Sequence, residues 1–327
     1  MKKFDAISIG SALQDIFILN KDMICKDVKV CHPFNPENMG DKINVKKMYF
    51  DIGGGGTNGA ATLANMGLKT AVVCQVGRDL AGEKVISTMK NFRVNTDFVT
   101  INKKEETGYS VIFIDKDGDK TALVYRGASD LKKYPATNIS RLSTKWFFIT
   151  SLHANLKLLG NIYRKAKKLG AKIAWNPGGA ELNLGKEKLK NFLAQTDILF
   201  LNLKEAQKLS GVKRKNIKQI FERLERVSPG AIIAVTGGKS GAWVKNGLET
   251  LWADILDRKV VNATGAGDAF GSGFVAGLFL YKGDVKKSLQ LAMLNSNSVV
   301  TEMGAKHGLL PRPPATRELN KITIKLL

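Results

Sequence analysis

Short apolar segments alternate with segments of helical spacing through the second half of this sequence, and that alternation constrains the fold most. The predicted strands lie at 146–149, 172–175, 198–201 and 232–235, and the predicted helices between them at 156–169, 186–194 and 216–226. Strands that alternate with helices form a parallel sheet, and helices cover both of its faces. The pattern therefore predicts an α/β fold with a mainly parallel sheet between two layers of helices, and 327 residues suit one large domain of this kind or two smaller ones.

Further predicted elements flank this alternating region. They are strands at 4–9 and 70–76 and helices at 57–66, 80–92, 266–280 and 288–300. Residues from about 12 to 50 are expected to be irregular, apart from a strand-like stretch at 48–52.

A different pattern appears between residues 97 and 127. Two strand-like segments, 109–114 and 121–125, flank Asp117-Gly118, a dipeptide that favours a hairpin turn. No helical segment separates them, although parallel neighbours would require a crossover. The sequence therefore predicts a separate, small antiparallel sheet.

The charge balance favours an anionic ligand. Lys and Arg number 51 against 29 Asp and Glu, which gives a formal net charge of +22. The basic residues are spread along the chain and are not interleaved with aromatic residues, which argues against nucleic acid as the main partner. An anionic nucleotide substrate fits the same basic surface.

The cysteines, the histidines and the hydropathy bear on metal binding, on the redox compartment and on membrane insertion. Neither the cysteines nor the histidines show metal-ligand spacing. The three cysteines show no pattern of paired disulfides, which favours a reducing cytoplasm. The cysteines and histidines are Cys25, Cys31, Cys74, His32, His153 and His307. No apolar run approaches the roughly 18 residues of a membrane span, so no membrane partner is expected.

The segment 261–270 carries the strongest chemical signal. Gly265, Ala266 and Gly267 open a predicted helix, so no bulky side chain shields its first amides. Such amides can surround a phosphoryl group as its charge spreads during transfer. Asp268 lies in the first turn, where it can accept a proton from an attacking hydroxyl. The alternative is that Asp268 only complements the helix dipole.

Four consecutive glycines, Gly53 to Gly56, stand between a predicted strand and a predicted helix. Glycine lets a backbone approach a ligand closely, and amides at a helix start can bind polar groups. Asn58 adds a side chain that both donates and accepts. The segment is therefore a candidate site for a polar ligand, with a tight turn that binds nothing as the alternative.

The same glycines match a dinucleotide-binding pattern. Gly54, Gly56 and Gly59 have G-x-G-x-x-G spacing, and Asp79 lies about 20 residues further on. However, the preceding strand is not the first of the chain, and Asp79 lies past the next strand rather than at its tip. A nicotinamide-dependent oxidoreductase is therefore an alternative enzyme class, but it leaves Asp268 unexplained.

A glycine-rich turn that includes Thr236 and Gly238 follows the predicted strand at 232–235 and can cradle a nucleotide. Its Gly-Lys-Ser continuation is not a Walker A motif, because Ile233 stands where that motif requires glycine. A plain turn is the alternative.

Asn202 and Glu205 follow the predicted strand at 198–201. Oxygen-bearing side chains in this position can hold a hydrated Mg²⁺, which usually keeps several waters. An ordinary helix cap explains the pair equally well.

Together these motifs resemble those of the ribokinase-like, or PfkB, carbohydrate kinases. The matching segments run in order from about residue 4 to 312 and cover nearly the whole chain. They are Gly10-Ser11 with Asp15, residues 53–77, the Asn202–Glu205 motif, the turn at Thr236, and residues 262–268. The resemblance implies that residues 1–327 form a single ribokinase-like α/β domain, a three-layer sandwich with a small β-sheet lid that is formed by about 12–50 and 96–128.

The resemblance also implies a role for each motif. Asp268 would be the catalytic base, and the amides of Gly265, Ala266 and Gly267 would form the anion hole. The implied acceptor-binding residues are Asp15, Gly54, Gly55 and Asn58.

The cofactors follow from the same resemblance. Thr236 and Gly238 would contact ATP, and Asn202 and Glu205 would hold Mg²⁺ and its waters near the phosphates. Many family members have aspartate where Asn262 stands, in a region that helps form a monovalent-cation site. With asparagine here, activation by K⁺ is left open.

The expected activity is transfer of the γ-phosphate of ATP to a primary hydroxyl of a ribose-like or fructose-like sugar. Ribokinases proper carry lysine where Gly55 stands, which weakens an assignment to ribose itself. A nucleoside kinase is the alternative, because the same contacts can grip the ribose of a nucleoside. The lid is expected to close over the acceptor and to pair with a second lid in a homodimer.

Overall fold

A computed structural model describes residues 3–19, 25–27, 30–31, 42, 44–114, 120–134 and 136–327 of the chain. The strands are β1 (Phe4–Ile9), β2 (Leu13–Leu19), β3 (Cys25–Asp27), β4 (Val30–Cys31), β5 (Lys47–Gly53), β6 (Thr70–Val73), β7 (Gln75–Gly77), β8 (Thr100–Asn102), β9 (Gly108–Ile114), β10 (Lys120–Tyr125), β11 (Thr144–Ile149), β12 (Lys172–Trp175), β13 (Ile198–Asn202), β14 (Ile232–Thr236), β15 (Ala242–Asn246), β16 (Glu249–Ala253) and β17 (Ile324–Leu326). The helices are α1 (Gly55–Asn65), α2 (Leu80–Asn91), α3 (Leu156–Leu169), α4 (Gly179–Leu182), α5 (Lys186–Leu193), α6 (Leu203–Ser210), α7 (Ile217–Val227), α8 (Ala266–Leu280), α9 (Val285–Val299) and α10 (Thr316–Leu319).

A nine-stranded sheet forms the centre of the molecule, in the order β17-β16-β15-β14-β13-β12-β11-β1-β6. The pairs from β14 through to β6 are parallel, whereas β15, β16 and β17 extend one edge in antiparallel fashion. The predicted, mainly parallel sheet is therefore confirmed. The antiparallel edge was not predicted from the sequence.

Neighbouring side chains of the central strands enter two different cores. On β11, Phe147 packs in a core with Leu158 of α3, whereas Phe148 packs in a second core with Phe270 and Phe274 of α8. Side chains of a strand alternate between its faces, so a sheet covered on both sides buries consecutive apolar residues. This arrangement confirms the three-layer architecture.

A small sheet of four strands, in the order β10-β9-β2-β5, lies apart from the large one. Its β9–β10 and β2–β5 pairs are antiparallel, but β2 and β9 are parallel. The expectation of an antiparallel sheet was therefore wrong for the central pair. The reason is that β2 and β9 are distant in sequence, whereas the hairpin pattern concerned only β9 and β10.

Strand β2 corrects a second expectation, because residues from about 12 onward were expected to be irregular. Four consecutive apolar residues, Ile16 to Leu19, hide the alternation that would have indicated a strand. The predicted strand at 70–76 is divided into β6 and β7. The predicted turn Asp117-Gly118 lies outside the described residues.

Within the described residues, no helix is long and apolar enough to cross a bilayer.

Candidate active site

The predicted site residues cluster at the carboxyl ends of the parallel strands, where open α/β sheets bind ligands. Strands β13 and β14 are neighbours, and their last residues, Asn202 and Thr236, are directly paired. The Asn202–Glu205 motif and the turn at Thr236 therefore lie side by side. Beyond β12, the loops that follow β11 and β1 reach the same edge.

The glycine run packs tightly against those two loops. Gly54 has a φ of +97°, and a Cβ on it would lie 2.4 Å from the carbonyl oxygen of Ser11. A Cβ on Gly55 would lie 2.6 Å from Oγ1 of Thr150, which follows β11. Both positions therefore exclude side chains. Helix α1 begins at Gly55 and places Asn58 in its first turn.

Asn58 contacts the proposed base directly. Its Nδ2 donates to Oδ2 of Asp268 over 2.9 Å, although the two residues are 210 positions apart. Asp268 lies in the first turn of α8, which follows Gly265 in a left-handed conformation with φ +79°. The first amides of a helix lack intrahelical partners, so those of α8 can bind an anion beside Asp268.

Burial raises the pKa of Asp268, and the Asn58 hydrogen bond and the Lys306 ammonium oppose that rise. The net direction is upward, so Asp268 takes up a proton at a higher pH than an exposed aspartate does. A carboxyl with a raised pKa is a stronger base once it is ionised.

Lys306 is a site residue that sequence reasoning missed. It is 3% exposed, and its Nζ donates to Oδ1 of Asn58 over 2.6 Å and to the carbonyl oxygen of Ile52. Burial lowers the pKa of Lys306 to about 8, against the attraction of Asp51, Asp15 and Asp268. No motif indicated this residue, because it is one of 51 basic residues and meets Asn58 across 248 positions.

Asp15 and Asp51 are paired across β2 and β5. Asp15 is 4% exposed, and a Cβ on Gly53 would lie 2.1 Å from its Oδ2, so this aspartate packs directly on the glycine backbone. Asp51, which was not predicted, accepts from the backbone amide of Ala305 over 3.0 Å. It thereby fixes the loop that carries Lys306.

Asn202 and Glu205 form a capping box at the start of α6. Oδ1 of Asn202 accepts from the Glu205 amide over 2.9 Å, and Oε2 of Glu205 accepts from the Asn202 amide over 2.8 Å. Burial raises the pKa of Glu205, and the nearby Asp268 carboxylate raises it further. The capping box explains why Asn202 and Glu205 are three residues apart. Oε1 of Glu205 takes no part in the capping box.

Thr236 ends β14, and the glycine-rich turn follows it as a short 3₁₀ helix. Gly238 has a φ of +59°, and the Gly237 amide donates to the carbonyl oxygen of Gly241 over 2.8 Å. A Walker A loop leads into a helix, whereas this turn leads into strand β15. The geometry therefore agrees with the prediction that this segment is not a Walker A motif. The nucleotide contacts of Thr236 and Gly238 remain a prediction.

Asp79 has structural partners that account for both of its carboxylate oxygens. Oδ1 accepts from the amide of Gly82 and from the hydroxyl of Thr107, and Oδ2 accepts from the Thr107 amide. It is the N-cap of α2. The dinucleotide alternative needs this carboxylate for a ribose, so it loses its supporting residue.

His153 lies in an unusual turn after β11, where it and Ala154 both have positive φ, +54° and +64°. The buried carboxylate of Glu181 accepts from the amides of Leu152 and Ala154 and so holds this turn. Non-glycine residues in this conformation cluster at functional sites.

The His153 ring connects the large sheet to the end of the small one. Its Nε2 lies 2.9 Å from the guanidinium of Arg126, which follows β10, and its Nδ1 lies 3.2 Å from Asp130. Burial and Arg126 lower the pKa of His153, which favours a neutral ring. A neutral ring that donates from Nδ1 and accepts at Nε2 satisfies both contacts.

Asn262 is 5% exposed, and its side chain has partners within the chain. Its Oδ1 accepts from the Thr264 amide over 2.7 Å, and its Nδ2 donates to the sulfur of Met303 over 3.3 Å. Within the described residues, no group of three or more His, Cys, Asp and Glu could hold a metal ion by itself.

Comparison with known proteins identifies the family. The model of the pfkB family carbohydrate kinases matches residues 21–312. A sugar kinase of Archaeoglobus fulgidus, itself uncharacterized, is 28% identical over 250 residues, which are 76% of this chain and 97% of that protein.

Solved structures show the same fold. The nucleoside kinase of Methanocaldococcus jannaschii superposes with a TM-score of 0.74 at 21% identity and covers 98% of this chain and 99% of its own. The ribokinase of Cryptococcus neoformans, solved in complex with ADP, gives a TM-score of 0.74 at 21% identity over 97% of this chain and 99% of its own. The chain therefore has the ribokinase fold and belongs to the pfkB family of carbohydrate kinases, which transfer phosphate to a hydroxyl of a sugar or nucleoside.

Proposed function

We propose that this protein transfers the γ-phosphate of ATP to a primary hydroxyl of a ribose-like or fructose-like sugar. The observation that carries the proposal is the contact between Asn58 and Asp268. This contact joins the glycine-rich acceptor motif to the helix start that can hold a phosphoryl group. An acceptor hydroxyl bound near Asn58 would lie beside the base and beside the anion site.

Asp268 would act as the general base. As a carboxylate, it accepts the proton of the acceptor hydroxyl while the hydroxyl oxygen attacks the γ-phosphorus. The amides of Gly265, Ala266 and Gly267 would stabilise the charge that spreads over the transferred phosphoryl group. Because the pKa of Asp268 is raised, activity should fall at an acidic pH above the ordinary aspartate value of about 4.

Asp15, Gly54, Gly55 and Asn58 would bind the acceptor. Asp15 supplies a buried carboxylate for sugar hydroxyls, and the two glycines let the sugar approach the backbone. Around Lys306, three carboxylates, those of Asp15, Asp51 and Asp268, face one ammonium group. The negative balance favours an uncharged acceptor over one that already carries a phosphate.

Thr236 and Gly238 would contact ATP, and Asn202 and Glu205 would hold Mg²⁺ through water. When bound there, Mg²⁺ would neutralise part of the negative charge of the phosphates. The residues fit this role, because Oε1 of Glu205 lies outside the capping box and Mg²⁺ commonly uses one or two carboxylates plus phosphates. The uncharged Asn262 is engaged by Thr264 and Met303, so we assign it no K⁺.

The small sheet would act as a lid. Asp15 on β2 belongs to the proposed acceptor site, so movement of this sheet would open or cover the bound sugar. A closed lid excludes water that would compete with the sugar hydroxyl. On its other face, Ile16 of β2, Phe50 of β5 and Val111 of β9 form one cross-strand row that would pair with a second copy of the chain.

A nucleoside kinase is the second candidate. The same carboxylate and amide contacts can grip the ribose of a nucleoside, and the similarity to the Methanocaldococcus jannaschii nucleoside kinase supports this alternative. A ribose-like acceptor and a nucleoside differ in what the ribose carries at its anomeric carbon.

A screen of acceptors tests the proposal. ATP consumption is measured with Mg²⁺ over a panel of pentoses, hexoses and nucleosides, and products are identified by ³¹P NMR. A sugar phosphomonoester formed in step with ADP supports the first candidate, and a nucleoside monophosphate supports the second. Failure of every acceptor, or transfer that Asp268→Asn does not impair, overturns the proposed mechanism.

A further inference from the structure

Lys306 is a buried charged residue for which the proposed reaction has no role so far. At 3% exposure, its Nζ lies between the Asn58 side chain and the Ile52 carbonyl. Lysine is almost never fully buried unless it is paired, because its ammonium loses the stabilisation of water. A lysine kept in such a place therefore calls for a functional reason.

The ammonium group determines how the Asn58 carboxamide is oriented. Lysine only donates hydrogen bonds, so it must face the Oδ1 of Asn58, which is 2.6 Å away. That orientation leaves Nδ2 to donate to Oδ2 of Asp268 over 2.9 Å. The reverse orientation would place two donors together at Lys306 and two acceptors together at Asp268.

The loop that carries Lys306 is fixed in place. Gly304 has a φ of +90°, and a Cβ on it would lie 2.2 Å from Oδ2 of Asp51. The same oxygen accepts from the amide of Ala305. A Cβ on Gly265 would lie 2.5 Å from Cβ of Ala305, so the loop also abuts the start of α8. Lys306 is therefore presented from a backbone that touches both halves of the site.

The charges around Lys306 come from three elements. Asp15 on β2, Asp51 on β5 and Asp268 on α8 all attract its ammonium group. In the same region, the charge of Asp268 raises the pKa of Glu205. The exposed His307 lies 3.7 Å from Asp51. Without the ammonium group, the remaining groups would be mostly acidic and each would oppose ionisation of the others.

We propose that Lys306 is a positioning residue for the base: it holds the Asn58 carboxamide in the orientation that donates to Asp268, and its charge favours the carboxylate form of Asp268. The inference rests on the proposed role of Asp268 as base. Asn58 occupies Oδ2, so the proton of the acceptor hydroxyl passes to Oδ1. Lys306 stays protonated throughout and touches neither the acceptor oxygen nor the phosphoryl group.

The first test is a carboxyl titration that needs no acceptor. Protein labelled with ¹³C at the aspartate carboxyl carbons is titrated by NMR, and Asp268→Asn identifies the Asp268 signal by its absence. In Lys306→Met the midpoint of that signal should rise by about one pH unit or more, the size expected for loss of a neighbouring opposite charge. Lys306→Arg, which keeps the charge, should stay close to the unaltered protein. Lys286→Met removes an exposed lysine of α9 and should change nothing.

The unaltered protein supplies a second test that does not depend on the folding of any variant. Lys306 loses its proton near its pKa of about 8, so the Asp268 signal should show a small second step there. A single step, or an unchanged midpoint in folded Lys306→Met, overturns the proposal.

Activity measurements distinguish the role of Lys306 from the role of Asp268 as base. The acidic limb of kcat/KM should move to higher pH in Lys306→Met together with the NMR midpoint, so that activity lost on the acidic side is recovered as the pH rises. A loss that is equal at every pH would indicate a merely structural role and would overturn the inference alone. Full turnover in Asp268→Asn would overturn the base itself, and the role of Lys306 with it.

Discussion

The two sides of the proposed acceptor site are built differently. The large-sheet side is fixed by close backbone contacts, such as Gly54 on Ser11 and Gly265 on Ala305, and by the hydrogen bonds from Lys306 through Asn58 to Asp268. The small sheet has one face packed near Met303, and its other face leaves Phe50 60% exposed and Leu123 48% exposed. The difference suggests a rigid catalytic side and a small sheet that responds to ligands and partners.

Apart from loss of the proposed base itself, the largest effect is expected at Gly265, where the large-sheet side has no space for a side chain. Gly265→Ala places a Cβ 2.5 Å from that of Ala305 at a φ of +79°, so the start of α8 and its anion-binding amides must shift. We expect kcat to fall by about 10²–10³, the usual effect of losing one such donor. Gly283→Ala is the matched control, because Gly283 also has a positive φ, +90°, but nothing lies within 4 Å of the added carbon. Equal kcat values for the two variants would show that the packing at Gly265 does not matter.

A smaller effect is expected at the nucleotide side of the same rigid half. Glu205→Gln should raise the Mg²⁺ concentration needed for half-maximal rate and lower kcat, because a carboxylate near the proposed metal loses its charge. Glutamine can still accept from the Asn202 amide, so the capping box and the melting temperature should be nearly preserved. An unchanged Mg²⁺ titration would leave Glu205 with its capping role alone.

The small sheet should show its effect in dynamics and not in chemistry. If it closes over the acceptor, amides of β9 and β10 should exchange more slowly with solvent water once sugar is bound. Amides of β12, in the centre of the large sheet, provide the internal reference. Hydrogen exchange followed by mass spectrometry measures both, and equal rates in β9 and β10 with and without acceptor would contradict closure.

The smallest effect on turnover is expected on the outer face of the small sheet. Phe50→Asp places a charge in the row formed by Ile16 and Val111 and should convert a dimer to monomers at micromolar concentration with little loss of kcat. Leu248→Asp is the control, since Leu248 is fully exposed in the β15–β16 turn. Sedimentation velocity distinguishes the two species. An unaltered protein that sediments as a monomer would contradict the pairing.

The sequence predicted regular elements well where their pattern was local. Helices α3 and α8 were located to the residue, because their apolar spacing and flanking glycines are contained within the segment itself. Strand β2 was missed, because both of its pairing partners are remote in sequence and four consecutive apolar residues conceal the alternation. The antiparallel edge was missed because its short strands mix charged and apolar residues, as in Glu249–Ala253.

The site was predictable to the extent that its motifs are contiguous. Asp268 with its glycines and Asn58 with its glycines could each be recognised, but their contact could not, since 210 positions separate them. Lys306 and Asp51 act only through neighbours in space, and no spacing rule connects them to either motif. A buried lysine is invisible in a sequence with so many exposed ones.

The role of Asp268 as catalytic base is tested most directly by one comparison: turnover and nucleotide binding of Asp268→Asn, measured side by side with the unaltered enzyme. General-base help contributes roughly 10²–10⁴ to rate, whereas the proposed nucleotide contacts lie at Thr236 and Gly238. We expect kcat to fall by at least about a hundredfold while calorimetry gives a nearly unchanged Kd for a nonhydrolysable ATP analogue. A variant that keeps more than about a tenth of the wild-type kcat would contradict the central claim that Asp268 is the catalytic base.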